Sequence, residues 1–212
     1  MKATKAGRLL PIPDCYIIIP IQGAPKTITP GKPDGMIELT VLPDITDGKS
    51  ANYSSEDIIG RTAPLYTYSH SGDRSIGMQL HFYITEPGDA VRNLGYLRLI
   101  ESAVYPREGI TGAPYRPPVI CKLRCGDLLS TKAEDDQGVC AILTSYSVKF
   151  PTEVAWENDP APPPGFVGPV ETLSDQGGQY CPYKFDVDTS WIVVYTNPEL
   201  PFADRIVQTG YK

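Results

Sequence analysis

Leu65–Tyr105, LYTYSHSGDRSIGMQLHFYITEPGDAVRNLGYLRLIESAVY, holds the strongest pattern in the chain. From Arg74 to Ile84 the apolar residues Ile76, Met78, Leu80, Phe82 and Ile84 take every second position, and Ser75, Gly77, Gln79, His81 and Tyr83 fall between them. That is the period of a strand with one buried face. Ser71-Gly72-Asp73 has turn chemistry, and Leu65–His70 is β-branched and aromatic enough to be a partner strand, so a hairpin is expected there. After Pro87-Gly88 the period changes. Ala90, Leu94, Leu97, Ile100 or Glu101, and Val104 share one helical face, which predicts a helix over 89–105 with Asp89 as its N-cap and Pro106 as its stop.

The 212 residues are enough for one large or two small domains, and 41% hydrophobic content suits a globular core. The 22 prolines and 19 glycines cluster in particular places, which argues for loops and ordered extensions. A net charge of −6 and a pI near 4.9 leave no basic footprint for gripping nucleic acid. Pro11, Pro13, Asp14 and Pro20 interrupt the apolar N-terminal run, so a signal peptide is not expected, and no run approaches the ~18 apolar residues of a membrane span.

The rest of the chain divides around this stretch. Residues 1–35 are Pro- and Gly-rich around Tyr16–Ile21, whose Ile17-Ile18-Ile19 is stopped by Pro20. Proline here suits an edge strand packed on its own domain or an arm laid across another subunit. Met36–Leu42 alternates as a short strand, Pro43–Ser50 reads as a turn-rich loop, and 51–61 is polar up to Ile58-Ile59-Gly60-Arg61. Arg107–Pro118 reads as a loop. Val119–Cys125 and Val139–Phe150 form a hairpin with an exposed tip at Glu134–Gly138, and Ile142, Thr144, Tyr146, Val148 and Phe150 are expected on one face. The Pro-rich segment 151–182 is either a large surface loop or an extension wrapping a partner through Trp156, Phe166 and Val167. Strand 183–196 closes the core and 197–212 is a tail. Six or seven strands with one helix predict a mainly β fold, an antiparallel sheet curled into a barrel or sandwich with the helix packed on it.

No reactive constellation stands out. Ser69, Ser71, His70, His81 and Asp73 supply the residue types of a hydrolytic triad, but without a G-x-S-x-G elbow, and strand alternation already explains both histidines. Cys121 and Cys125 would lie roughly 13 Å apart along a strand, too far for one tetrahedral metal ion. The five cysteines are expected to be mostly buried thiols, with a Cys125–Cys140 disulfide across the hairpin as the alternative. Asp186 and Asp188 alternate on one strand and are expected to face solvent. No catalytic residue, cofactor or metal is assigned.

The order Ile59-Gly60-Arg61, Pro64, Tyr66 to Ser69, Gly72-Asp73-Arg74, the long strand to Ile84, the helix, Pro117-Pro118-Val119, Gly126-Asp127 and Gly138–Phe150 resembles the N-terminal domain of contractile-injection-system tube proteins. The likeness covers about 36–150 and, more weakly, 183–196. It implies a split β-barrel or sandwich of the phage tail-tube type and a structural role in a contractile tail, at the baseplate hub or first tube ring, in the virion. Partners would be further copies, six by resemblance, and other tail or baseplate proteins. DNA would pass through the ring without specific binding, along an acidic face, and no membrane is involved. Members often continue into a LysM module; none is recognisable in these residues, so peptidoglycan binding is not expected. Candidate interface residues are Ile17, Ile18, Ile19, Arg61, Tyr66, Tyr68, Arg74, Trp156, Phe166 and Val167. The competing reading is a carbohydrate- or ligand-binding β-module using Tyr66, Tyr68 and Tyr83.

Overall fold

The computed structural model describes residues 10–21, 24, 31–85, 87–110, 113–129, 138–153 and 182–195. Trp156, Phe166, Val167, the tip at 134–137, most of the 151–182 segment and the tail 197–212 lie outside them. The elements are β1 (Cys15–Ile18), β2 (Met36–Glu38), β3 (Asp44–Glu56), β4 (Leu65–Tyr83), α1 (Pro87–Ser102), β5 (Arg107–Ile110), β6 (Ala113–Arg116), β7 (Cys121–Cys125), β8 (Val139–Lys149) and β9 (Lys184–Val193). Seven strands form one sheet in the order β2-β1-β7-β8-β9-β4-β3, with every pairing antiparallel. β5 and β6, in the region expected to be a loop, make a separate small hairpin. The large sheet has two ends, β2 and β3, and no closed barrel forms among the described residues.

One face of this sheet carries the core. Ile76, Met78 and Leu80 of β4, Phe185, Val187 and Trp191 of β9, Ala141 and Leu143 of β8, Cys121 and Leu123 of β7, and Ile17 of β1 are all buried. The alternation of β4 and β9 therefore does what their sequences dictate: one row of side chains leaves water at about 25 cal/mol per Å² of apolar area. α1 covers this face. Its buried residues are Asp89, Ala90, Asn93, Tyr96, Leu99, Ile100 and, just past its end, Ala103, while Leu94, Leu97 and Val104 are only half-buried. Ala90 and Ile100 of the expected face are buried; between them the stripe is shifted by one residue, because Tyr96 packs beside Phe82 (6.3 Å between rings) and Asn93 donates to the Tyr83 carbonyl at 2.9 Å. Asp89 is not the cap but lies in the first turn. Its carboxylate accepts from the Thr85 backbone N–H (3.0 Å) and hydroxyl (2.7 Å), satisfying a donor where the chain enters the helix.

Three further expectations are corrected. Leu65–His70 and Arg74–Ile84 are not two strands of a hairpin: β4 runs unbroken from Leu65 to Tyr83, through Ser71-Gly72-Asp73. Its hairpin partner is β3, in the region read as loop and polar connector, with a register from Asp44↔Gln79 to Glu56↔Leu65. Second, of the two readings of the N-terminal segment, its described part packs on its own domain, but not as an edge strand. β1 is an inner strand, paired with β2 on one side and β7 on the other, and Ile17 and Ile19 are fully buried in this chain's own core. Ile18 points to the opposite face and is half-buried. Third, β8 does not keep one face throughout. A bulge between Leu143 and Ser145 shifts the alternation by one, so Val139, Ala141 and Leu143 face the core before it and Tyr146 and Val148 after it.

Cys121 illustrates how tightly this core excludes water. It has no exposed surface, and burial pushes its thiol from 9.0 up to about 12. Raised in this way, the thiol contributes stability that is complete below pH 9 and is lost as pH rises towards 12. Between those limits unfolding should become easier by about 1.4 kcal/mol per pH unit from this group. Urea unfolding at pH 8, 9.5 and 10.5 should show that slope, and Cys121→Ala should flatten it; an unchanged slope in the variant would count against a thiol kept neutral by burial.

Candidate functional site

The unusual part of the molecule is the far half of the β3–β4 hairpin. β9 pairs with β4 only from Ser75 to Tyr83, so Leu65–Arg74 and its partner Lys49–Glu56 form a two-stranded ribbon about 30 Å long. Nearly every residue on it is exposed. Among the described residues no strand lies along either outer edge of the ribbon. Two bulges, between Lys49 and Ala51 and between Asn52 and Tyr53, add twist.

Cross-strand side-chain contacts hold the ribbon. Tyr53 and Tyr68 are register partners whose rings meet edge to face at 5.7 Å. Tyr66, two positions from Tyr68, shares their face and is 66% exposed, which makes an open aromatic strip. Across the strands Asn52 Nδ2 also meets His70 Nε2 at 2.9 Å; within β4, Ser69 Oγ lies 3.1 Å from His70 Nδ1, and the Tyr68 and Ser71 hydroxyls are 2.9 Å apart. The turn at the end exposes Ile58, Ile59 and Leu65, with Ile59 wholly in solvent. Asp57, Ile58, Arg61, Thr62, Ala63 and Pro64 line a shallow concavity there, closed by the Arg61 N–H donating to the Ile58 carbonyl at 3.1 Å.

At its root the ribbon is pinned by charge. Arg74 Nε donates to both Asp47 oxygens (2.9 and 3.1 Å), and its Nη2 donates to Oδ2. Those hydrogen bonds hold the Asp47 carboxyl below its usual range and raise the guanidinium above its own. Lys49 sits 5.6 Å above the Tyr195 ring beside them. Arg74, expected at an interface, is thus engaged within the chain.

The two histidines lie on the same strand and not on neighbouring ones, roughly 36 Å apart along it. Ser69 meets His70, whereas the carboxylates Asp44 and Asp186 meet His81, at the other end of the strand. His81 Nδ1 contacts Asp186 Oδ1 at 2.7 Å and its Nε2 faces Asp44 Oδ2 at 3.6 Å. Asp186 also meets Lys184 at 3.5 Å, and Asp188 pairs with Lys149 at 2.5 Å, so both aspartates are ion-paired on the face away from the core. Lys122 and Arg124 lie on that same face of β7, opposite to the buried Cys121 and Leu123. Its charge is mixed. Tyr83 shares this region, with Lys184 Nζ 5.5 Å from its ring, and stands about 50 Å along β4 from Tyr68. Tyr66, Tyr68 and Tyr83 therefore form no single aromatic patch; Tyr53 takes the third place.

Among the described residues no group of three or more His, Cys, Asp or Glu side chains is arranged to hold a metal ion, and no helix is long and apolar enough to cross a membrane. Of the sequence-derived candidates, Arg61, Tyr66 and Tyr68 gather on the exposed ribbon and Ile17 and Ile19 do not. Tyr53, Ile58 and Ile59 join the site unannounced, although Ile58-Ile59 between polar neighbours was a readable sign of an apolar tip. Comparison with known proteins adds no relative: no family model matches the chain, and no curated protein is similar to it.

Proposed function

We propose that this protein is a structural subunit of a contractile phage tail, at the baseplate hub or first tube ring, that joins its neighbours through the β3–β4 ribbon and the edge of β3 that no described strand covers. The observation that carries this reading is the ribbon itself. An isolated two-stranded hairpin is marginally stable in water, and a long strand edge without cover is an invitation to pair with another chain. Here both occur together, with an aromatic strip and an apolar tip added. A surface of that kind is suited to contacts made in an assembly. The order of motifs along the chain, which resembles the tube-protein domain, supplies the kind of assembly.

In this reading the open sheet is the subunit's share of a tube-type split barrel, completed by neighbours. Head-to-tail pairing of β3 with another subunit repeats one contact, and a rotation that closes gives a ring. The resemblance implies six copies. Sedimentation of the full chain across a range of concentrations, with electron microscopy of the heavy species, tests it. Concentration-dependent rings or short stacks are expected. A strictly monomeric chain that instead binds oligosaccharides through the Tyr53, Tyr66 and Tyr68 strip would replace this reading with that of a carbohydrate-binding module.

A further inference from the structure

The N-terminal strand carries a feature unrelated to assembly. Cys15 in β1 and Cys125 in β7 are register partners, and their sulfurs are 3.4 Å apart. The Gly126 N–H donates to the Asp14 carbonyl at 2.8 Å. This bond joins the residue after Cys125 to the residue before Cys15, so the two cysteines occupy a non-hydrogen-bonded site of the antiparallel ladder. At such sites the Cα atoms approach to about 4.5 Å and the side chains stand closest, inside the span that a disulfide bridges. Cys125–Cys140, the alternative pairing that the sequence left open, is excluded here: Cys140 is level with Lys122 and faces the other side of the sheet from Cys125. All four described cysteines are thiols.

We propose that Cys15 and Cys125 are a site of oxidative modification, forming a cross-strand disulfide by exchange with a low-molecular-weight disulfide and thereby fastening β1 to β7. The two thiols differ in the way that exchange requires. Cys125 is partly exposed and can meet the oxidant; Cys15 is 2% exposed. Burial and the neighbouring thiol push Cys15 up to about 12, so Cys125 is the attacking group. The Cys125 thiolate attacks one sulfur of the small disulfide and releases one small thiol. Cys15, giving up its proton, then attacks Cys125 Sγ and expels the second small thiol. Two protein thiols are oxidised, one disulfide is reduced to two thiols, and the two protons leave on those products. The sulfurs need only close from contact distance to about 2.05 Å. The bond would join positions 110 residues apart, the long-loop case in which a cross-link constrains the unfolded chain most.

The test is made on the full chain. It is incubated with oxidised glutathione, the remaining thiols are alkylated, and the digest is read by mass spectrometry. A peptide containing Cys15 joined to one containing Cys125, two hydrogens lighter than the sum, is expected, with a rise in Tm on the order of 10 °C. Cys15→Ser and Cys125→Ser should each abolish the joined peptide, whereas Cys140→Ser should leave it. A stable glutathione adduct on Cys125 with Cys15 still free to alkylate once unfolded, or joined peptides only between chains, would overturn the proposal. The first readout uses the unaltered chain, so a serine variant that folds poorly does not blunt it.

Discussion

Trp191→Ala should lower the unfolding free energy by about 3–5 kcal/mol, a large part of the roughly 5–15 kcal/mol that a domain possesses. Trp191 is the largest fully buried side chain among the described residues, near the C-terminal end of β9 with Ile76 of β4 and Leu143 of β8 as its register partners. It is also the head of a buried relay. Its indole N–H donates to the Thr189 hydroxyl at 2.8 Å, and that hydroxyl donates to the Met78 carbonyl at 2.9 Å. Alanine would leave a void between three strands that a paired sheet cannot collapse to fill. Thr189→Val separates the two contributions, because it keeps the shape and removes the acceptor. The indole N–H, buried without a partner, should then cost about 1–3 kcal/mol. Urea unfolding followed by far-ultraviolet circular dichroism reads both variants. Losses below about 1 kcal/mol for Trp191→Ala would mean that this sheet centre is not the packed core described.

What the sequence showed of this fold depended on burial. Period-2 alternation arises only where one face of a strand leaves water, so the second half of β4 was legible residue by residue. β3 was not. Its sequence DITDGKSANYSSE carries one core-facing apolar residue, Ile45, because most of the strand is solvated on both faces. The same solvation made Ser71-Gly72-Asp73 look like a turn. In the ladder Gly72 instead lies where a β-carbon would run into Ser50 Oγ of the facing strand, the close approach for which glycine is often kept inside strands. In β8 the alternation was visible but its phase was not, since one extra residue at the Thr144 bulge moves every later side chain to the other face. Thr144 marks the place by donating its hydroxyl to the Ser190 carbonyl at 2.9 Å. For β1, Pro20 suggested an edge strand. It falls just after the last paired residue, Ile18, and so leaves an inner strand intact.

Excising the ribbon should separate folding from assembly. Lys49 and Arg74 are register partners at its root, so joining Lys49 to Arg74 through an Asn-Gly turn removes the exposed half of the hairpin. The retained part of β4, from Ser75 on, keeps β9 on one side and Asp44–Gly48 of β3 on the other. The removed residues bury little apolar surface, so the truncated chain should keep its far-ultraviolet spectrum per residue and lose less than about 1 kcal/mol of stability. Arg74 and Asp47 stay together at the new turn. Association should fall much further. Interfaces concentrate their energy in a few aromatic and apolar anchors, each worth about 2 kcal/mol or more, and this excision removes Tyr53, Ile58, Ile59, Tyr66 and Tyr68 at once. A loss of at least ~100-fold in self-association or in incorporation into particles is expected. Tyr66→Ala with Tyr68→Ala, on an intact ribbon, should give a smaller loss in the same direction. Two results would sink the argument. A truncated chain that assembles like the original would show that the contacts lie elsewhere, and one that unfolds would show that the ribbon belongs to the core. Neither is expected under the proposed assembly role: a hairpin whose residues are nearly all exposed, and whose edges no described strand covers, adds little to its own domain and is free to meet a second surface.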